Sequence, residues 1–253
     1  ARLTANGETR GIAIFQTGVQ HSGECLTELL KRRSVELEAP IQMCDALAAN
    51  TAGDFETIVA HCMAHARRRF VQIVHDFPEE CQHLLKEIRK IYLFDKESKE
   101  QNLSPDQRLA YHQSRSGPVM EGLKTWLEEQ IKDKKVEANS GLGTAIQYML
   151  NHWIELTVFL REPGAPLDNN LCERTLKRAI LHRKNSLFYK TTNGALVGDT
   201  FMSLIHTAEI NGIKPFDYLV AILKHPAFAE ENPEEWMPWN YQKTLAEIEK
   251  ING

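Results

Sequence analysis

The 253-residue sequence predicts an α/β fold that gives way to a large helical block. Short apolar runs alternate with helical spacing over the first sixty residues. Long amphipathic patterns take over from about residue 62, and Glu-Pro-Gly-Ala-Pro at 162–166 breaks that block before a final set of helices.

Taken in order, residues 11–16 (Gly-Ile-Ala-Ile-Phe-Gln) read as a short strand. Residues 22–33 have helical spacing, with Leu26, Leu29 and Leu30 on one face and Lys31, Arg32 and Arg33 in the last turn, where cations suit the helix dipole. Ile41 and Met43 alternate with polar neighbours and lead into Cys44 and Asp45, a strand ending on a carboxylate. Residues 56–60 form a further strand pattern. Helices are expected at 62–76, 79–93, 105–132 and 142–160, with Asn-Leu-Ser-Pro at 102–105 marking a helix start. Asp168 or Asn169 can cap a helix running through 183. Another helix at 201–210, a Gly-Ile-Lys-Pro turn, one more helix and an acidic Trp-containing tail complete the chain.

Composition narrows the function classes. Hydrophobic residues at 42% and charged residues at 25% are ordinary globular values. No apolar run reaches the roughly eighteen residues that would span a bilayer, so no membrane partner is expected. Five scattered cysteines without a Cys-x-x-Cys pair predict reduced thiols in a cytoplasmic protein. The net charge of −4 is unevenly spread. Residues 171–190 carry Arg174, Lys177, Arg178, Arg183, Lys184 and Lys190 against Glu173 alone, whereas 230–249 carry six glutamates against Lys243. Such polarity lets an acidic chain keep a phosphate-binding face.

Read residue by residue, each candidate has an ordinary explanation. Asp45 is either a catalytic carboxylate at a strand end or a plain turn residue. Glu173 suits the first turn of a helix and can pair with Lys177. His61, Cys62 and His65 supply three candidate ligands, but no partner pair has structural-zinc spacing, so packing roles come first. Arg67, Arg68 and Arg69 either contact phosphates or form a solvated face. Arg183, Lys184 and Asn185 beside Leu187, Phe188 and Tyr189 are mildly suggestive of nucleic acid.

Several motifs point one way together. Asp168-Asn169-Asn170-x-x-Glu173-Arg174, Arg183-Lys184-Asn185-x-Leu187-Phe188, Ser203-Leu204-Ile205-x-Thr207-Ala208-x-x-Asn211-Gly212 and Pro215-x-x-Tyr218-Leu219 occur in that order. Upstream stand His21-Ser22-Gly23-Glu24, Cys62-x-Ala64-His65-Ala66-Arg67-Arg68-x-Phe70, Arg115-Ser116-x-Pro118 and Trp126-Leu127-Glu128. This series resembles the insertion-sequence-66 family of transposases over essentially the whole chain.

The resemblance implies a partial ribonuclease-H-like core with a large all-α insertion and C-terminal helices. It divides the chain into a first core part (1–62), a helical insertion (63–165), a core helix bearing the catalytic glutamate (166–202) and C-terminal helices with the acidic tail (203–253). It also implies an Asp-Asp-Glu site in which Asp45 is the second aspartate and Glu173 the glutamate, both binding Mg²⁺ or Mn²⁺ for phosphodiester cleavage and strand transfer. Arg174, Lys177, Arg178, Arg183, Lys184, Arg67 and Arg68 become candidate DNA contacts. The expected partners are double-stranded DNA, both element ends and target, and further copies in a homo-oligomer. No aspartate precedes Asp45, so the first catalytic aspartate is expected upstream and this chain alone is expected to be inactive. Ala46-Leu47 stands where many members have Gly-Tyr. The alternatives are a non-catalytic, transposase-derived DNA-binding or interaction protein, or a helical scaffold if the basic helix is consumed in ion pairs.

Overall fold

The structure is a computed structural model and describes residues 2–5, 8–18, 22–33, 36–46, 55–185 and 189–252. The chain divides into two compact units, Gln20–Cys172 and the combination of Ala1–Val19 with Glu173–Gly253. Strands and helices are both present, as an α/β reading requires, but among the described residues the sheets are small and helices dominate.

The unit Gln20–Cys172 begins with α1 (Ser22–Lys31), followed by strands β3 (Ile41–Cys44) and β4 (Ile58–His61), whereas β1 (Arg2–Ala5) and β2 (Glu8–Gly11) belong to the other unit. β3 and β4 pair in parallel, Ile41 with Ile58 through Cys44 with His61. Ile41, Met43 and Ile58 pack on the core, and Thr57 Oγ1 donates to Gln42 Oε1 at 3.1 Å. The ladder continues one bond further, from Cys62 N–H to the Cys44 carbonyl at 3.0 Å. Both strands thus end together, and Asp45 and His61 stand at that common edge.

Helix α2 (Met63–Gln72) follows at once. It buries Met63, Ala66 and Phe70, spaced three and four apart, and leaves Arg67, Arg68 and Arg69 exposed. α3 (Pro78–Glu100) and α4 (Pro105–Lys132) pack along each other, both opened by a proline in the first turn, where its missing N–H costs nothing. Their link uses Asn102 in the left-handed region (φ 52°) and a capping box between Ser104 and Gln107. α3 runs seven residues beyond the expected end at 93. Its extra turns bury Asp95 and Ser98, polar residues that a periodicity count assigns to solvent.

The expected helix at 142–160 is broken. α5 (Gly141–Asn151) stops at His152 (φ −110°, ψ 20°), α6 (Trp153–Leu156) restarts, and a 3-10 turn covers Val158–Leu160. α5 is capped by Ser140 Oγ, which accepts from Gly143 N–H at 3.0 Å. Gly143 fits because a Cβ there would lie 2.3 Å from the Glu137 carbonyl oxygen.

The other unit begins with an antiparallel hairpin, β1 (Arg2–Ala5) with β2 (Glu8–Gly11). The run 11–16 read as a strand joins no ladder beyond Gly11 among the described residues. Its alternate N–H groups bond instead to side chains of α8 (Thr192–Ile210) and its C-cap: Gly11 to Asn211 Oδ1, Ala13 to Thr207 Oγ1 and Phe15 to Ser203 Oγ, at 3.3, 3.1 and 2.9 Å. Thr17 N–H reaches Asp199. Two residues of extended chain advance about 6.6 Å and four residues of helix about 6.0 Å, so the two periods match. α8 itself starts nine residues before the expected 201.

α7 (Asn170–Asn185) precedes α8, and α9 (Pro215–Lys224), α10 (Pro226–Glu231) and α11 (Tyr241–Asn252) follow it. α8 ends in a Schellman motif: Gly212 is left-handed (φ 72°), Ile213 N–H reaches the Ala208 carbonyl and Gly212 N–H the Glu209 carbonyl. The acidic tail is not structureless. Trp236 and Tyr241 join Ala208, Tyr218 and Ala221 in a small core, where Tyr218 Oη donates to the Trp236 carbonyl at 2.9 Å.

Candidate functional site

The parallel strands place Asp45 just past the C-terminal end of β3, where such strands present functional groups. Its side chain is half-buried and lines a cleft of about 330 Å³ with Ala46, His65, Arg68, Arg69, Gln72 and Tyr148. Four of these residues come from α2, whose buried face Met63–Ala66–Phe70 turns the opposite side toward the cleft. Tyr148 comes from α5, and the Arg69 guanidinium stacks 3.8 Å from the centre of its ring.

The electrostatics follow from burial and from the Asp45 charge. Burial pushes the Cys44 thiol up, and Asp45 adds to the effect. Burial also raises the Tyr148 hydroxyl, against the opposing pull of Arg69. Cys62, buried before α2, is raised by burial despite backbone N–H groups of Asn169, His65 and Ala64 that favour its thiolate. The cleft therefore joins one carboxylate, Asp45, to two exposed guanidinium groups, Arg68 and Arg69, with the His65 imidazole and the Tyr148 hydroxyl beside them.

His61 does not share its surroundings with Cys62 and His65, the trio its sequence neighbours suggested. Its ring meets His152 edge-on at 4.8 Å between centroids, and ligand atoms of His61, His152 and Glu155 all lie within 4.8 Å of one another. Burial lowers the His61 imidazole, as does neighbouring His152, with Glu155 and Asp45 opposing.

The other predicted residues are placed as follows. Arg67 and Arg68 are exposed on α2, and Arg68 is brought together with Asp45 at the cleft. Glu173 is half-buried in the first turn of α7 and is the first residue of that helix to fall in the second unit. Asp168 Oδ1 accepts from Asn170 N–H at 3.1 Å, so the capping expectation holds. Arg174, Lys177 and Lys184 are exposed. Arg178 donates to Glu209 Oε2 at 2.6 Å, and the same oxygen lies 3.0 Å from His206 Nδ1. The side chain of Arg183 lies outside the described residues, as do Leu187 and Phe188. Along α7, Ala179 and Ile180 are half-buried, and Cys172 and Leu176 are exposed.

Sequence reasoning missed Gln72 and Tyr148 in the cleft, and His152 with Glu155 beside His61. Tyr148 and His152 follow the cleft strand by roughly a hundred residues, so no local pattern links them to it. The one available signal was His152-x-x-Glu155, an i,i+3 pair of ligand-type residues on a helical stretch.

The chain matches the model of the IS66 transposase family over residues 2–196 and belongs to that family. It is similar to three proteins of Sinorhizobium fredii (strain NBRC 101917 / NGR234). With "Uncharacterized protein y4jD" it shares 33% identity over 189 residues, 73% of this chain and 36% of the relative. With "Uncharacterized protein y4hP" it shares 29% over 203 residues (74% and 36%), and with "Uncharacterized protein y4qI" 27% over 201 (78% and 36%). The chain thus spans about a third of the length of these relatives. No solved structure matches it, and no helix among the described residues is long and apolar enough to cross a membrane.

Proposed function

We propose that the chain supplies part of the catalytic centre of a DNA transposase of the Asp-Asp-Glu type, built on a ribonuclease-H-like core interrupted by the helical insertion 63–165. The observation that carries the reading is the Asp45 cleft. A carboxylate at the end of two parallel strands shares an open cavity with Arg68, beside the Arg69–Tyr148 stack.

The donor chemistry fits a divalent cation. Carboxylate oxygens are the hard donors that Mg²⁺ or Mn²⁺ takes, and the cleft can hold a hydrated ion. Asp45 is the carboxylate of this cleft that would hold it, and the family pattern makes Glu173 a further candidate metal ligand. When bound, the ion supplies Lewis-acid activation of the attacking oxygen and charge stabilisation at the leaving oxygen of a phosphodiester. Arg68, beside Asp45, is suited to orient a phosphate, and its guanidinium offers paired donors to two phosphate oxygens. Arg69 is held by its stacking on Tyr148, which reduces the freedom lost when a phosphate docks. Arg174, Lys177 and Lys184 on α7 are further candidates for contact with the DNA backbone and read no sequence.

The test uses the whole protein that carries this sequence, supercoiled plasmid bearing the element ends, and Mg²⁺. Asp45→Asn and Glu173→Gln are expected to abolish cleavage while leaving thermal melting nearly unchanged, since each keeps size and removes charge. A folded variant that still cleaves removes that residue from the catalytic set.

A further inference from the structure

The cluster His61–His152–Glu155 lies outside the proposed catalytic set and has no hydrogen-bonding explanation. The three side chains come from the end of β4, from the break between α5 and α6, and from α6, which packs against β4. Their ligand atoms all lie within 4.8 Å of one another. Even so, His61 Nδ1 and Glu155 Oε2 are buried without a hydrogen-bond partner. A buried imidazole nitrogen and a buried carboxylate oxygen left unsatisfied at this range are costly, and a cation shared between them removes the cost.

We propose that His61, His152 and Glu155 bind a divalent transition-metal ion of the Zn²⁺ class, as a site separate from the Asp45 cleft. Two imidazoles and one carboxylate form a donor set that Zn²⁺ takes with an open fourth position. The imidazoles also argue against Mg²⁺, which prefers oxygen. Ligands of a tetrahedral Zn²⁺ stand about 3.3 Å apart, so small side-chain rotations close the cluster. The helix break supports this. His152 has left the helical region (φ −110°, ψ 20°), which ends α5, and Glu155 follows one turn later at i+3. Without the break, α5 would run on as expected from the sequence. The bound ion would tie the sheet edge that carries Asp45 to the helical block through α6.

Metal uptake at this cluster is independent of the transposase reading, because it requires no cleavage. The experiment is titration of the chelator-stripped chain with Co²⁺ as a spectroscopic probe, with Zn²⁺ as competitor. The expected result is saturable uptake of one Co²⁺ with d–d absorption in the visible and no thiolate charge-transfer band. Zn²⁺ should displace it, millimolar Mg²⁺ should not, and Zn²⁺ should raise the melting temperature. His152→Gln and the near-isosteric Glu155→Gln should each weaken uptake about 100-fold, by analogy with the losses that follow disruption of metal-ligand shells. Cys62→Ser should leave it intact. Circular dichroism establishes that each variant is folded, and Glu155→Gln decides the matter if His152→Gln is not. Absence of saturable uptake, displacement by Mg²⁺, loss with Cys62→Ser, or unchanged affinity in folded Glu155→Gln each overturns the proposal.

Discussion

Asp95 is a buried carboxylate among the described residues. It sits in the α3–α4 interface, 8% exposed, and Arg108 reaches its Oδ1 at 3.0 Å with a side chain only 12% exposed. Lys99 bonds its other oxygen, and His112 Nε2 lies 3.5 Å away while Nδ1 of that ring shares a hydrogen bond with Ser116. Burial alone would raise this carboxyl. The adjacent His112 ring, the hydrogen bond from Lys99 and the charges of Lys99 and Arg108 outweigh it and hold the carboxyl well below its ordinary value of 3.8. A carboxyl depressed in the folded state stabilises above its unfolded value and loses that contribution as pH falls. Asp95→Asn should therefore cost about 3 kcal/mol near neutral pH, the range for stranding one partner of a buried pair. The gap between wild type and variant should narrow as pH drops below about 4. Urea unfolding across pH 3–7 reads this out, and a gap constant with pH would rule out the charge network as the cause. Periodicity could not find this group, because the apolar pattern of α3 ends at Ile91 and the buried positions after it are polar.

Among the elements, the pairing of residues 11–17 with α8 is the feature no local pattern announces. An extended segment with apolar alternation reads as a strand. Here its donors are satisfied by helix side chains, Ser203, Thr207 and Asn211, spaced one turn apart. These are the polar members of a motif whose spacing was visible but whose purpose was not. Thr207 both accepts from Ala13 N–H (3.1 Å) and donates to its carbonyl (3.2 Å), and it is buried. Thr207→Val keeps the shape and strands both backbone groups, at a cost of about 1–3 kcal/mol. Hydrogen exchange should then speed up at residues 11–17, and Thr207→Ser should restore protection. Unchanged exchange in Thr207→Val would mean that water or a neighbour replaces the hydroxyl.

For the whole molecule the charge distribution matters more than its sum. The net of −4 hides a basic stretch on and just after α7 and an acidic one over residues 230–249. Arg178 is already engaged by Glu209, which leaves Arg174, Lys177 and Lys184 as the better candidates for phosphate contact. Replacing those three by alanine should weaken binding to all DNA sequences alike. It should also flatten the plot of log affinity against log salt by about 0.9 for each phosphate no longer neutralised. Arg178→Ala should change the slope less. Fluorescence anisotropy between about 50 and 200 mM salt measures both; an unchanged slope in the triple variant would remove α7 from the DNA-binding surface.

What could be determined from the sequence alone was whatever is encoded by near neighbours along the chain. The helix at 105–132 and the strand that delivers Asp45 follow from apolar period and caps, which act over a few residues. Family membership was legible for the same reason, since motifs are local strings. The tertiary structure decided which distant side chains meet. It stacked Arg69 on Tyr148 beside Asp45, turned His61 toward His152 and Glu155, and buried Asp95 against Arg108. Each of these joins residues on different elements, or polar residues on a face that periodicity assigns to water. The physical reason is shared: a buried polar group is held by its partner's geometry, and that partner is chosen by packing, not by neighbours in sequence.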